Sequence, residues 1–413
     1  MFNKKFYLFS IIWIMSLLAV SVWTFENPET IEYIKKMYKK NKNPIAKIEE
    51  KSEDNIFSNS FMVTTKEIMS LSEKTAFVSY EDNKNVFNTN FLNIYTQNGF
   101  LISNLKEKKI NLPSTFTMKK NGGVKTIIQD KGKKFALISN KKGKCFYASI
   151  VNLTDGKKIF NSDCLPDSKN KIDFNGLGGG NIHLEDYVYL SIGTPTRNSQ
   201  FIDNLAQDDN SIFGKIIKIK KKNLIESSLK FEIFSKGHRN PQGLTTIDNK
   251  IFSVEHGPKG GDELNLINQK NNYGWPVVSY GTRYMDEDNG KSYNNSHENK
   301  NFTEPLFALV PSVGISSVNV CPSVLTKYYN KKCLMALSLY GNHLRPGKSL
   351  LIFLLNNDSN KVHSIEKIYL GDEMKLRHFV TNSKNELYED MEGNIYVSVD
   401  RKGIFKITFS NFR

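Results

Sequence analysis

The sequence predicts an all-β protein, and three observations predict it. Short runs rich in β-branched and aromatic residues recur from Phe61 onward, among them "KTAFVSY", "KKFALISN", "CFYASIVNL", "YVYLSIGT", "SLLIFLLN" and "NIYVSVD". Asn, Gly, Asp and Lys turns such as "NKKGK", "LTDGKK" and "DMEGN" separate them. No long amphipathic helical pattern interrupts the series. Aromatics make up 12% of the 413 residues, a bias that suits strands. Residues 61–413 are too many for one sandwich. A six-bladed β-propeller, at roughly 50 to 60 residues per blade, accounts for them best, with a pair of β-sandwiches as the alternative. No repeat signature is spelled out, so the repeat is structural.

Before this region the texture differs. Lys4 and Lys5 precede Phe6 to Phe25, an uncharged apolar run of the length needed to cross a bilayer. A positive flank followed by an apolar run sends the remaining chain outward. The run reads as a signal-anchor or a cleaved signal peptide, and residues 1–25 are set apart from the fold. Residues 26–60, charged and short of apolar periodicity, read as a linker or stalk with helical tendency at "ETIEYIKKMYKK".

The net charge of +15 raises the question of nucleic acid. The lysines are scattered in turns and at strand edges, and no recognition-helix, zinc-finger or RNP-type pattern accompanies them, so nucleic acid is excluded as a partner. In an exported chain the four cysteines read as disulfides. Sequence neighbours suggest Cys145–Cys164 and Cys321–Cys333, though four cysteines allow three pairings and reduced thiols are the alternative.

Two motifs are set aside. "YGTRYMDEDNG" lacks EF-hand spacing at Asp286, Asp288 and Gly290 and reads as an acidic surface loop. "NGLGGGN" precedes a strand rather than opening a helix, which argues against a dinucleotide site. The chemistry concentrates in "GHRNPQGL", Gly237 to Leu244, and "EHGPKGGDELNLI", Glu255 to Ile267. Arg239 offers a planar fork for a carboxylate, and Asn240 both donates and accepts. Gly257 and Pro258 can turn carbonyls towards a hard cation while Glu263 adds a carboxylate, the oxygen set that calcium prefers. The alternative is a loop whose carboxylates cap a turn and whose arginine meets Glu263.

These two blocks, followed by "NNYGWP", resemble in order and spacing the soluble glucose dehydrogenase and aldose sugar dehydrogenase family, which uses pyrroloquinoline quinone (PQQ). The resemblance implies a six-bladed propeller with PQQ and calcium over its axis. It implies that aldose sugars are oxidised at C1, with electrons passing to a membrane acceptor at the periplasmic face of an inner membrane. Gly257 and Pro258 would then offer carbonyls to the cofactor's calcium, and Glu263 with the Tyr273 backbone would hold a second, structural calcium. Arg239 and Asn240 would contact PQQ, and Asp262 would face the sugar. "EMKLRHF" resembles the family's paired basic residues and places Lys375 and Arg377 on PQQ carboxylates. "VPSVGISS" resembles the block that supplies a hydroxyl, here Ser312.

The sequence also departs from the family. Asn175 falls where the family has its histidine base, and Thr194 replaces an aspartate after the following strand. An amide can orient a hydroxyl but cannot take its proton, and losing a general base typically costs about 10²–10⁴-fold in rate. Val310 stands where an aromatic would lie against the cofactor, and His343 is the nearest candidate for a further basic residue. His183, His238 and His256 are the remaining base candidates. A propeller that keeps the calcium turn and binds PQQ, a glycan or a protein without turnover is therefore the alternative function.

Overall fold

The computed structural model describes residues 46–48, 53–58, 60–81, 86–166, 171–196, 199–226, 228–284, 293–294, 296–340 and 347–413. The Phe6–Phe25 run, the helical stretch of the expected stalk, the acidic 285–290 segment and His343 lie outside these residues. Six antiparallel sheets follow one another along the described chain, each a four-stranded blade with additions at some edges. The six-bladed propeller expected from the strand spacing is the fold observed. Two short helices, Gln200–Asn204 and Ser323–Tyr329, sit between strands. Among the described residues no helix is long and apolar enough to cross a membrane.

The innermost strands of blades one to six are Thr75–Tyr80, Val124–Asp130, Asn181–Leu184, Pro241–Ile247, Ile315–Val320 and Leu376–Phe379. They pack side by side around an axial channel. Crowding there demands small residues. A Cβ on Gly243 would lie 2.8 Å from the Val318 nitrogen, and one on Gly180 would lie 2.8 Å from that of Leu244. Apolar layers fill the gaps between blades. Phe135, Phe146 and Ile150 of blade two meet Phe174, Val188 and Leu190 of blade three, and similar layers join four to five and five to six. The strands are buried on both faces, which explains runs such as "SLLIFLL" at Ser349–Leu355 in place of strict alternation.

Met62–Leu71 closes the ring by pairing with Gly403–Ser410, so that both ends of the propeller sequence share blade six. Its burial alternates residue by residue, with Val63, Thr65, Glu67, Met69 and Leu71 buried. The sheet begins upstream of the expected boundary at Phe61. Glu53–Phe57, read as stalk from its polar composition, pairs along Met62–Lys66, and Ala46–Lys47 pairs with Ser70–Leu71. Both disulfides join sequence neighbours, Cys145 to Cys164 and Cys321 to Cys333.

Phe61 pins this closure. It is 1% exposed and makes edge-on contacts with Tyr328, Tyr329 and Phe409. Phe61→Ala is expected to cost about 3–5 kcal/mol of unfolding free energy, the usual range for a buried phenylalanine. Denaturant unfolding followed by far-UV circular dichroism checks this; a loss below about 1 kcal/mol would mean that the closure does not depend on this ring.

Candidate active site

Glu255 organises the turn that leads into blade four. Its carboxylate accepts the Arg239 amide at 2.9 Å and the Asn265 side-chain amide at 2.9 Å, and lies 3.4 Å from His238 Nδ1. His238 is fully buried, bonded through Nε2 to Ser235 Oγ at 2.9 Å and stacked on Tyr273 at 4.7 Å. Both ring nitrogens are engaged, one with the outer strand of blade three and one with blade four, so this base candidate is a structural residue. Tyr273 is buried and donates through its hydroxyl to the Leu266 carbonyl at 2.6 Å.

Asp262 and Glu263 are neighbours in sequence but face different surroundings, because successive strand residues point to opposite faces. Asp262 Oδ2 accepts the backbone amides of Val313, Gly314 and Ile315 at 3.0, 2.6 and 3.1 Å, and Oδ1 accepts that of Gly257 at 3.2 Å. The sequence reading puts Asp262 towards the sugar; the structure buries it and commits it to clamping the loop before blade five against blade four. Glu263 sits opposite Glu255 across the strands, and Asn265 Nδ2 donates to both, at 3.1 Å to Glu263. Burial, reinforced by the Glu255 charge, raises the Glu263 pKa well above the carboxylate range.

Arg239 does not meet Glu263. Its guanidinium donates to the carbonyls of His256 at 3.0 Å and Gly257 at 2.5 Å and lies 5.3 Å from the Trp275 ring. The Gly257 carbonyl, expected on calcium, thus accepts from Arg239 here. Pro258 is buried beside it, and the backbone is so tight that a Cβ on Gly257 would fall 1.9 Å from the Gly261 oxygen.

The turn carrying Asn175 reaches the same place. Asp173 caps it by accepting the Asn175 amide at 2.9 Å, and the Asn175 side chain is exposed. Gln242 Nε2 joins the Asn175 carbonyl at 3.5 Å to Asn240 Oδ1 at 2.5 Å, and Asn240 Nδ2 lies 3.4 Å from His256 Nδ1. Burial lowers the His256 pKa, so the imidazole is neutral. Its Nε2 and the Ser312 hydroxyl are buried with no hydrogen-bond partner among the described residues. His183 stands apart, lowered to about 4 by burial and then by Lys221.

Positive charge gathers at the same mouth. Arg377 forms a bidentate pair with Asp400, and Lys375 is exposed two residues before it. Lys125, at the start of blade two's inner strand, is 8% exposed and donates to the Asn121 carbonyl at 2.8 Å. Burial, then Arg377, lowers the Lys125 pKa to about 7, and the same two causes lower that of Lys74. Val310 is 63% exposed and offers no aromatic face.

Sequence reasoning missed Glu255, Asp203, Lys125 and Lys74. Asp203 sets a carboxylate beside Thr194. It comes from the short helix Gln200–Asn204, and its carboxylate accepts the Trp275 indole at 3.1 Å and the Thr194 hydroxyl at 3.3 Å. Burial raises its pKa to about 6. Only Glu255 carried a signal, as the cross-strand mate of Glu263 on a hairpin.

A family profile described as Glucose / Sorbosone dehydrogenase matches residues 135–404, which include these blade-three to blade-six residues. The chain belongs to the glucose/sorbosone dehydrogenase family. Aldose sugar dehydrogenase YliI of Escherichia coli is 34% identical over 145 residues, 33% of this chain and 37% of that protein. Quinoprotein glucose dehydrogenase B of Acinetobacter calcoaceticus is 36% identical over 129 residues, 26% of each chain. The chain therefore matches about a quarter to a third of the length of these relatives. Among solved structures, the soluble aldose sugar dehydrogenase of Escherichia coli in its apo-form superposes with a TM-score of 0.64 at 18% identity, covering 84% of this chain and 99% of that one. The PQQ-bound aldose sugar dehydrogenase of Streptomyces coelicolor gives 0.54 at 14% identity, covering 89% and 99%. These structural likenesses speak for the fold.

The Asp203 carboxylate yields a pH test. A carboxyl whose pKa is raised on folding binds its proton more tightly in the native state. Its stabilisation is complete below the unfolded value near 3.8 and is lost as pH rises through about 6. Asp203→Asn keeps the acceptor for Trp275 and Thr194 without the charge. Between pH 4 and pH 7 its stability relative to wild type is expected to rise by about 2–3 kcal/mol in denaturant unfolding. Parallel curves would show that Asp203 ionises normally.

Proposed function

We propose that this protein oxidises aldose sugars at C1 with PQQ as hydride acceptor and calcium as Lewis acid. The observation that carries the reading is the set of unmatched polar groups converging on one mouth. Among the described residues His256 Nε2 and Ser312 Oγ are buried without partners, Arg377 acts on His256, and Lys74 and Lys125 lie beside Arg377, with Asp400 paired to Arg377 and Asp173 the other carboxylate near Lys125. A flat quinone bearing three carboxylates answers both needs, and Arg239, Asn240, Lys375 and Arg377 are the residues that would hold it. When bound, the cofactor would supply an ortho-quinone able to take up hydride, and the Gly257 and Pro258 carbonyls would hold the calcium that polarises it once Arg239 turns from Gly257 to the cofactor.

Glu263, which shares the Asn265 amide group with Glu255, fits a second cation completed by the Tyr273 backbone. Asn175 and Gln242 line the sugar side and orient hydroxyls through amide groups. The apolar run at Phe6–Phe25 supports export, with the propeller at the periplasmic face of the inner membrane and a membrane acceptor for the electrons. The second reading, a propeller that binds PQQ, a glycan or a protein without turnover, is favoured by one feature: neither Asn175 nor Thr194 can accept a proton.

Titration of the full chain with PQQ in excess calcium is expected to shift the cofactor absorbance, and aldoses are expected to bleach it. Shift without bleaching would support the second reading, and no shift would overturn both. Asn175→His is expected to raise sugar-dependent dye reduction by about 10²–10⁴-fold, the usual contribution of a general base; an unchanged rate in the PQQ-loaded variant would remove Asn175 from that role. Calcium is expected to raise the melting temperature of wild type but not of Glu263→Gln. In chelator the variant should melt no lower than wild type, since it removes a buried carboxyl whose ionisation the fold disfavours. Equal calcium responses would exclude Glu263 as a ligand.

A further inference from the structure

Lys125 is a buried lysine without a carboxylate mate. Among the described residues its amine has one hydrogen-bond partner, the Asn121 carbonyl at 2.8 Å. The neighbouring Asp173 is turned elsewhere, accepting Asn121 Nδ2 at 3.0 Å and the Asn175 amide at 2.9 Å. The charged groups that act on Lys125 come from three other elements: Arg377 on blade six, Lys74 before blade one and Asp173 before blade three. Arg377 is itself paired with Asp400. A Cβ on Gly179, which lines the axial channel with Gln242 and His378, would lie 3.4 Å from that of Lys125, and the amine bonds Asn121, which Asp173 holds beneath the Asn175 turn, so the lysine stands between channel and candidate site.

We propose that Lys125 is a proton-linked anion receptor: a ligand carboxylate seats against its amine at the channel mouth, and ligand and proton are taken up together. The inference rests on the reading of the site as a receptor for a carboxylate-bearing cofactor, and it adds to that reading a residue that no motif marks. Burial, then the Arg377 and Lys74 charges, favours the neutral amine, with Asp173 opposing, and the result is a pKa of about 7. An arriving carboxylate reverses that balance by supplying the missing counter-charge. Ligand affinity is then constant below the free amine's pKa. It falls as pH rises above it, approaching tenfold per unit because one proton is bound with each ligand. No bond other than N–H forms or breaks, and the proton comes from solvent.

The test is calorimetric titration of the calcium-loaded full chain with PQQ and, separately, with benzene-1,3,5-tricarboxylate, which carries three carboxylates and no quinone. Each is run between pH 6.5 and 9 in HEPES and in Tris, whose different ionisation heats report proton uptake. Wild type is expected to take up close to one proton per ligand at pH 8 and to lose about tenfold in affinity per unit above pH 7.5. Lys125→Arg, which keeps the charge but does not titrate, should bind with flat pH dependence and no uptake. Lys125→Met should bind weakly at every pH, and its unchanged circular dichroism would show that the fold is intact.

Wild-type affinity that stays flat across this range, or proton uptake that survives in Lys125→Arg, overturns the proposal. PQQ binding without proton uptake leaves the cofactor reading standing and removes this one. Tricarboxylate binding with uptake but no PQQ binding does the opposite. Failure of both ligands to bind overturns both.

Discussion

The pairing of Met62–Leu71 with Gly403–Ser410 brings the two ends of the propeller sequence into one sheet, and by closing the ring it sets the curvature that every inner strand must follow. Lys74 and Lys125 belong to the starts of the inner strands of blades one and two, Arg239 and Asn240 to that of blade four, and Lys375 and Arg377 to that of blade six. Ser312 precedes the inner strand of blade five. These residues are distant in sequence and meet because the ring is closed. The same closure restricts composition at the axis, where Gly180 and Gly243 lie against neighbouring backbone and admit no Cβ. An open stack of six sheets would leave the cations of blades one and six on opposite edges.

Charge is buried here in three different ways. Asp262 is fully answered by four backbone amides, and it behaves as part of the scaffold. Glu255 takes a side-chain amide, a backbone amide and an imidazole. Glu263 shares one amide with Glu255, and its raised pKa expresses that deficit. Lys125 is the mirror case on the positive side, a buried cation with a carbonyl where a carboxylate would be needed. Buried ions are costly unless paired, so the residues left incomplete by the protein's own contacts mark where a ligand's charge would stabilise the fold.

Local signals carried much of this into the sequence. Strand spacing gave the six blades, and Gly257, Pro258 and Pro241 marked turns because their backbone constraints act within a few residues. The polar stretch Glu53–Phe57 was illegible as strand, since an added outer strand needs no apolar face. Asp262 reads as facing the sugar, but strand alternation turns it into the gap to blade five, where backbone amides hold it, and turns Glu263 into the interior of blade four. Asp203 and Lys125 carried no signal, because each matters only through partners on other elements. His238 reads as a candidate base, but its two ring nitrogens are engaged by Ser235 of blade three and Glu255 of blade four.

The carboxylate that Asp203 sets beside Thr194 bears on how the two functional readings differ. Asp203 holds the Trp275 indole and the Thr194 hydroxyl, and the Trp275 ring lies beside the Arg239 guanidinium. The wall behind Arg239 therefore keeps its acidic support although the acid arrives on a helix. Asp173 below Asn175 is engaged with Asn121 and with the Asn175 backbone, so among the described residues the proton acceptor left at this turn is the His256 imidazole, whose Nε2 has no partner. Groups suited to holding an anionic quinone are thus more complete here than groups suited to removing a hydroxyl proton. A dehydrogenase of this design would pass that proton to His256, to water or to a group brought in by the ligand, and the rate of that single transfer separates the enzyme from the binding protein.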